Sequence, residues 1–173
     1  MTQCSSIIAG STMLAALPFL LCYSGLTLAL CQQDLRYGLL PDRFTCPLLW
    51  SGLLFYLCLA PHQLNEAVWG ALAGYLSFAA LYWLYRRVRG HEGLGYGDIK
   101  YLAALGAWHG WRMLPQLVLV ASLLAGMTWV ILGLSARCGG NRKWEKNNPL
   151  PFGPFLAAAG FWCGWQTLAN LTL

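Results

Sequence analysis

The chain has 173 residues, of which 58% are hydrophobic and 10% charged, with a net charge of +5 and a mean hydropathy of +0.52. Soluble domains carry charge on about a quarter of their residues, so the composition excludes one and points to a multi-span membrane protein, too short to add a large soluble domain. The excess of positive charge is distributed as a topology signal and not as a face for an anionic partner, so no nucleic-acid partner is expected.

A spanning helix needs about 20 mostly apolar residues, and the expected class is an all-α polytopic membrane protein of about six such helices in one domain. The first span runs from about Ile7 to Cys31. No Lys or Arg precedes it, so it lacks the basic start of a secretory signal. The second runs from about Phe44 to Ala60 and the third from about Ala67 to Leu84. The fourth is short. Tyr101 to Trp111 covers half a membrane, so a span must begin near Leu94 and take in Asp98 and Lys100; the alternative is a re-entrant stub. The fifth runs from about Met113 to Leu134, and the sixth from about Phe152 to Leu173.

Loop charges arbitrate on the fourth segment. With six spans, Arg36, Arg43, Arg86, Arg87, Arg89, Lys100, Arg137, Arg142, Lys143 and Lys146 share one side, and Arg112 alone lies on the other. The basic side is cytoplasmic by the positive-inside rule, which makes the fourth segment a span and turns both termini outward. Gly70-x-x-x-Gly74, Gly106-x-x-x-Gly110 and Gly160-x-x-x-Gly164 put glycines one turn apart, where they let helices approach closely. Tryptophans near segment ends read as an interfacial belt.

Seven cysteines, Cys4, Cys22, Cys31, Cys46, Cys58, Cys138 and Cys163, form no C-x-x-C pair and read as small apolar residues. His62, His91 and His109 do not share a side in this topology, so no metal site is expected.

Six residues are acidic. Glu66 and Glu145 read as solvated loop charges, and Glu92 has only a loop context. Asp42 follows Pro41 before an apolar run, where a helix N-cap or first-turn role suffices. Asp34 and Asp98 are the candidates for chemistry, because ionisable groups at membrane depth are costly and tend to be functional. Asp34 ends the first helix and Asp98 begins the fourth, and antiparallel helices can bring these ends together. Two close carboxylates cannot both ionise cheaply, so the pair holds one proton between them. The ionised member can deprotonate a water while the protonated member donates to a substrate carbonyl. The competing reading makes both ordinary interfacial charges, paired with Arg36 and Lys100. Gly95 and Gly97 flank Tyr96 just before Asp98 and can let backbone approach a ligand or take φ > 0. No strand precedes them and no Walker lysine follows, which argues against a nucleotide loop. Lys100 can support a carboxylate charge or snorkel to the interface.

Three blocks carry a family resemblance. Asp34-Leu35 with Leu40-Pro41-Asp42-Arg43-Phe44-Thr45, then Gly95-Tyr96-Gly97-Asp98-Ile99-Lys100 continuing through Leu102 to Trp108, then Pro151-Phe152-Gly153-Pro154-Phe155-Leu156-Ala157, occur in order, with the two aspartates 64 residues apart. This pattern resembles the type IV prepilin peptidases, membrane aspartyl proteases of the G-x-G-D kind, along essentially the whole chain. The resemblance implies a multi-pass enzyme of the bacterial inner membrane that removes the basic leader of prepilins or pseudopilins, in type IV pilus or type II secretion systems. The cut falls at the cytoplasmic face, after a glycine and before the pilin's hydrophobic helix. It implies Asp34 and Asp98 as the catalytic pair, Gly95, Gly97, Lys100 and Asp42 in substrate-positioning or supporting roles, and no cofactor.

Full-length family members begin with a further span and a cytoplasmic domain bearing paired C-x-x-C motifs, associated with N-methylation of the new pilin terminus. This sequence starts later, so peptidase activity without methyl transfer is expected. Two other readings compete: a non-catalytic assembly or transport protein of a pilus or secretion system, and a protease of signal-peptide remnants. The Pro-Phe-Gly-Pro string argues against the last.

Overall fold

The structure is a computed structural model that describes residues 2–89, 95–137 and 151–172. Among these residues six α-helices follow one another: α1 (Thr2–Tyr37), α2 (Asp42–Leu59), α3 (Leu64–Arg89), α4 (Tyr96–His109), α5 (Leu114–Arg137) and α6 (Gly153–Thr172), with a 3-10 turn at Pro61–Gln63 before α3. No strand occurs among the described residues. Each predicted span corresponds to one helix. Leu14–Tyr37, Pro61–Val88 and Leu114–Leu134 are long and apolar enough to cross a membrane. Large apolar side chains such as Leu21, Leu28, Trp83, Leu119, Ile131 and Trp165 point outward, an apolar exterior of the kind that faces lipid.

The breaks between helices follow from the sequence. Gly38 closes α1 in a left-handed conformation (φ 62°), its amide bonded to the Asp34 carbonyl at 2.8 Å, as glycines do at helix ends. Pro41 then holds the extended backbone from which α2 starts. Gly110, at φ 72°, closes α4 in the same way.

Helix α4 is shorter than the predicted fourth span. Its 14 residues rise about 21 Å at 1.5 Å each, against a hydrocarbon core of about 30 Å. It is nevertheless the centre of the molecule: every residue from Tyr101 to Trp108 is buried, as are Asp98 and Ile99. Helices α2, α3 and α6 pack around it. A helix sheathed in protein need not match the bilayer, because its ends meet neighbouring backbone and side chains instead of lipid.

Glycines set the spacing around α4. A Cβ built on Gly70 or on Gly106 would run into the other's carbonyl oxygen, and one on Gly74 would lie 2.8 Å from the Leu102 carbonyl. Two of the three G-x-x-x-G motifs thus form the α3–α4 seam. In the third, on α6, Gly160 makes room for Tyr23, while Gly164 lies beside His109 with space for a methyl. On the α2 side the Trp108 indole lies over Gly52 and donates to the Leu48 carbonyl at 2.8 Å, while the Tyr56 hydroxyl donates to the Trp108 carbonyl at 2.8 Å. Trp108 is therefore a core residue and not part of an interfacial belt. At the far end of α4, Arg112 reaches Glu66 at 3.4 Å across an exposed surface, so Glu66 has a partner as well as solvent.

Candidate active site

Three helix ends converge at the other end of α4. The last turn of α1 carries Asp34, the first turn of α4 carries Asp98, and α6 begins at Gly153. Both aspartates are buried, at 5% and 8% exposure. Burial at that level separates them from ordinary interfacial charges, which keep their carboxylates in water.

Each carboxyl is held differently. The Gly153 amide donates to Asp34 Oδ2 at 2.8 Å, in a buried bond that joins α6 to α1. The fit leaves no space, since a Cβ on Gly153 would lie 2.7 Å from Asp34 Oδ2. Asp98 enters through the G-x-G-D segment: Gly95 precedes the helix in extended backbone, and its carbonyl accepts the Asp98 amide at 3.1 Å. The two aspartates are near enough for the charge of Asp34 to act on Asp98. Asp98 Oδ1 is buried with no hydrogen-bond partner.

Deeper in the bundle lie two more buried polar groups. Thr27 stands two turns before Asp34 on the same face of α1, beside the Tyr101 hydroxyl. Neither oxygen reaches a partner in good hydrogen-bond geometry, although both residues are fully buried. Buried polar atoms without partners are unusual away from functional sites, and here the buried side-chain atoms of this kind among the described residues are Thr27 Oγ1, Asp98 Oδ1 and Tyr101 Oη.

The pairing of Lys100 with Asp98 does not occur. Its ammonium bonds both oxygens of Asp42, at 2.8 and 2.7 Å, and lies 5.2 Å from the Tyr96 ring centre. The reason is helical direction: the side chain of Lys100 leaves α4 on the face turned to the start of α2, and Asp98 faces the interior. Asp42 is the first residue of α2, as expected, but Pro41 occupies the cap position, so the Asp42 carboxylate is an ion-pair partner. Neither Gly95 nor Gly97 has a positive φ. Gly97 abuts Leu40, whose Cβ would lie 2.7 Å from a Cβ built there. Its small size is needed for packing against the α1–α2 turn. Glu92, His91, Glu145 and the basic residues Arg142, Lys143 and Lys146 lie outside the described residues.

Sequence reasoning assigned no role to Gly153, Leu40, Thr27 or Tyr101. Gly153 alone had a signal: it stands at a helix start, where backbone amides lack helical partners, immediately before Pro154, which has no amide of its own.

Chemically, two buried carboxyls that feel each other's charge, one held by an amide and one with an unpartnered oxygen, suit general acid–base activation of a water. Among known proteins, the model of the Type IV leader peptidase family matches residues 12–130. The leader peptidase HopD of Escherichia coli is 57% identical over 155 residues, 89% of this chain and 96% of that protein. The HopD of Salmonella typhimurium is 54% identical over 158 residues, again 89% of this chain and 96% of its own length. A prepilin leader peptidase/N-methyltransferase of Dickeya chrysanthemi is 50% identical over 147 residues, covering 85% of this chain and 50% of that protein. No solved structure matches the chain.

Proposed function

Because the chain belongs to the type IV leader peptidase family, we infer that it is a prepilin peptidase, and we propose that Asp34 and Asp98 cleave the leader at the cytoplasmic face of the bacterial inner membrane. The observation that carries the assignment is the convergence of these two carboxyls, 64 residues apart in sequence, in one buried site between α1, α4 and α6.

One carboxyl is ionised and the other protonated. The ionised member takes a proton from water as the water oxygen attacks the scissile carbonyl, and the protonated member gives its proton to the carbonyl oxygen. The resulting gem-diol collapses: the C–N bond breaks, the leaving nitrogen takes the proton held by the first carboxyl, and a diol hydroxyl returns a proton to the second. Peptide and water have become acid and amine, and the pair is back in its starting state. No covalent intermediate and no metal is required for these steps.

The basic leader and apolar helix of a prepilin fit the placement of the site. Arg36, Arg43, Arg86, Arg87 and Lys100 occupy the same end of the bundle as the aspartates, and by the positive-inside rule this end faces the cytoplasm. The pilin helix lies in the bilayer and presents the bond after its preceding glycine to the carboxyls. The test is co-expression with a prepilin in a host lacking other leader peptidases, with mass spectrometry of the pilin N-terminus. Loss of the leader mass, dependent on both aspartates, supports the reading. An intact leader with a well-accumulated protein would leave the non-catalytic assembly or transport reading. The same spectrum reports whether the new terminus carries a methyl group, for which peptidase action alone adds none.

A further inference from the structure

The two aspartates are not equivalent, and the difference lies in what touches each oxygen. Asp34 Oδ2 accepts the Gly153 amide at 2.8 Å in a buried bond. An amide N–H can only donate, and its bond to a charged oxygen is roughly twice as strong as its bond to a neutral one. Asp98 Oδ1, by contrast, is buried with no donor at all. Lys100, the nearest cation along α4, is bound to both oxygens of Asp42. A negative charge is costly on a carboxyl that has a buried oxygen without a donor, and the neutral acid costs far less there.

We propose that the pair is polarised in advance: the amide of Gly153 is a positioning group that holds Asp34 as the ionised base, and the shared proton resides on Asp98, which is the acid. In the reaction, the water proton then goes to Asp34 and the carbonyl oxygen takes its proton from Asp98. Collapse of the gem-diol sends the Asp34 proton to the leaving amine and restores the proton on Asp98. The start of α6 belongs to the catalytic geometry because it fixes which oxygen of Asp34 is engaged by protein and leaves the other for water. The absence of a side chain at Gly153 is part of the same device. A Cβ there would meet Asp34 Oδ2 at 2.7 Å, Cγ at 3.1 Å and Cβ at 3.2 Å, so any larger residue displaces the carboxylate.

This assignment rests on the reading of Asp34 and Asp98 as the catalytic pair, and its test separates the two. Infrared spectra of the purified protein in lipid at neutral pH report the carbonyl stretch of a buried protonated carboxyl, whether or not a substrate is cleaved. Asp98→Asn is a neutral mimic of the assigned acid, so it leaves the surroundings of Asp34 unchanged. The band is expected in the wild type and absent in Asp98→Asn. Absence of the band from the wild type, or its persistence in Asp98→Asn, overturns the assignment. In prepilin cleavage, Gly153→Ala is expected to lower kcat about 100-fold, as a displaced catalytic group does, with KM changed less than about threefold. Gly126→Ala, on α5 where nothing lies within 4 Å of the new methyl, is the control and keeps wild-type kinetics. Wild-type kcat in Gly153→Ala removes the positioning role. Should Gly153→Ala fail to accumulate, the two spectra decide alone. A wild type that cleaves no prepilin removes the peptidase reading and leaves the spectra as evidence on the proton.

Discussion

The ammonium of Lys100 grips both carboxylate oxygens of Asp42, 58 residues away in sequence, and ties the second turn of α4 to the first turn of α2, two residues on from Asp98. The pair is open to water, at 32% and 59% side-chain exposure, and exposed ion pairs contribute little, about 0–1 kcal/mol. Asp42→Asn is therefore expected to lower stability by less than about 1 kcal/mol and to keep most of the cleavage activity. Thermal unfolding and a cleavage assay check both; loss of activity comparable to an active-site change would move Asp42 into the catalytic machinery.

Asp34→Asn and Asp98→Asn should each accumulate in the membrane like the wild type and lose cleavage by about 100-fold to 10,000-fold or more, the scale of a missing general acid or base. Asn preserves shape and cannot exchange the proton. A single-turnover assay against a prepilin measures this, and full activity in either variant removes that residue from the pair.

Gly97 packs on Leu40, so Gly97→Ala is expected to depress cleavage by forcing the α1–α2 turn away. The Cβ of Leu40 is the atom in the way, and Leu40→Gly should restore a substantial part of the lost activity in the double variant. If instead Gly97 admits substrate backbone, Leu40→Gly rescues nothing. Comparing the two single variants with the double one decides between packing and substrate approach.

The α3–α4 seam depends on Gly70 and Gly106. A methyl at Gly106 drives into the Gly70 carbonyl, and overpacking of this kind costs about 1–3 kcal/mol or more. Gly106→Ala is expected to accumulate poorly or unfold at lower temperature, in contrast to Gly25→Ala, which has open space around it. Equal thermal stability of the two variants would show that the seam can widen without cost.

Orientation is tested by labelling single cysteines in a chain stripped of its native ones. Cysteine at positions 89 and 143 should react from the cytoplasmic side, and cysteine at positions 63 and 172 from the outer side, because the basic residues gather at one end. An outward position 143 would mean that the fourth segment does not span, and the arrangement of the site would have to be rebuilt.

Much of this was legible in the sequence because it depends on properties local to the chain. Hydropathy over about 20 residues reports a helix in lipid, so all six helices were found. Gly38 and Pro41 punctuate the chain by their own backbone limits, and G-x-x-x-G reports close packing because spacing on a helix is fixed. Asp34 and Asp98 stood out because a carboxylate in apolar surroundings is expensive wherever it sits. The partners of these groups were not legible. Whether Lys100 faces Asp98 or Asp42 depends on how α4 is rotated against α2, and whether Gly97 meets substrate or Leu40 depends on the path of a turn 57 residues earlier. The length of α4 was misjudged because an apolar stretch enclosed by other helices has no reason to match the bilayer. Sequence determined which residues are costly to bury, since that is a property of each side chain; only the packing of α1, α4 and α6 decided that Gly153 offers its amide to Asp34 while Asp98 Oδ1 receives none, since hydrogen bonds are satisfied by neighbours in space.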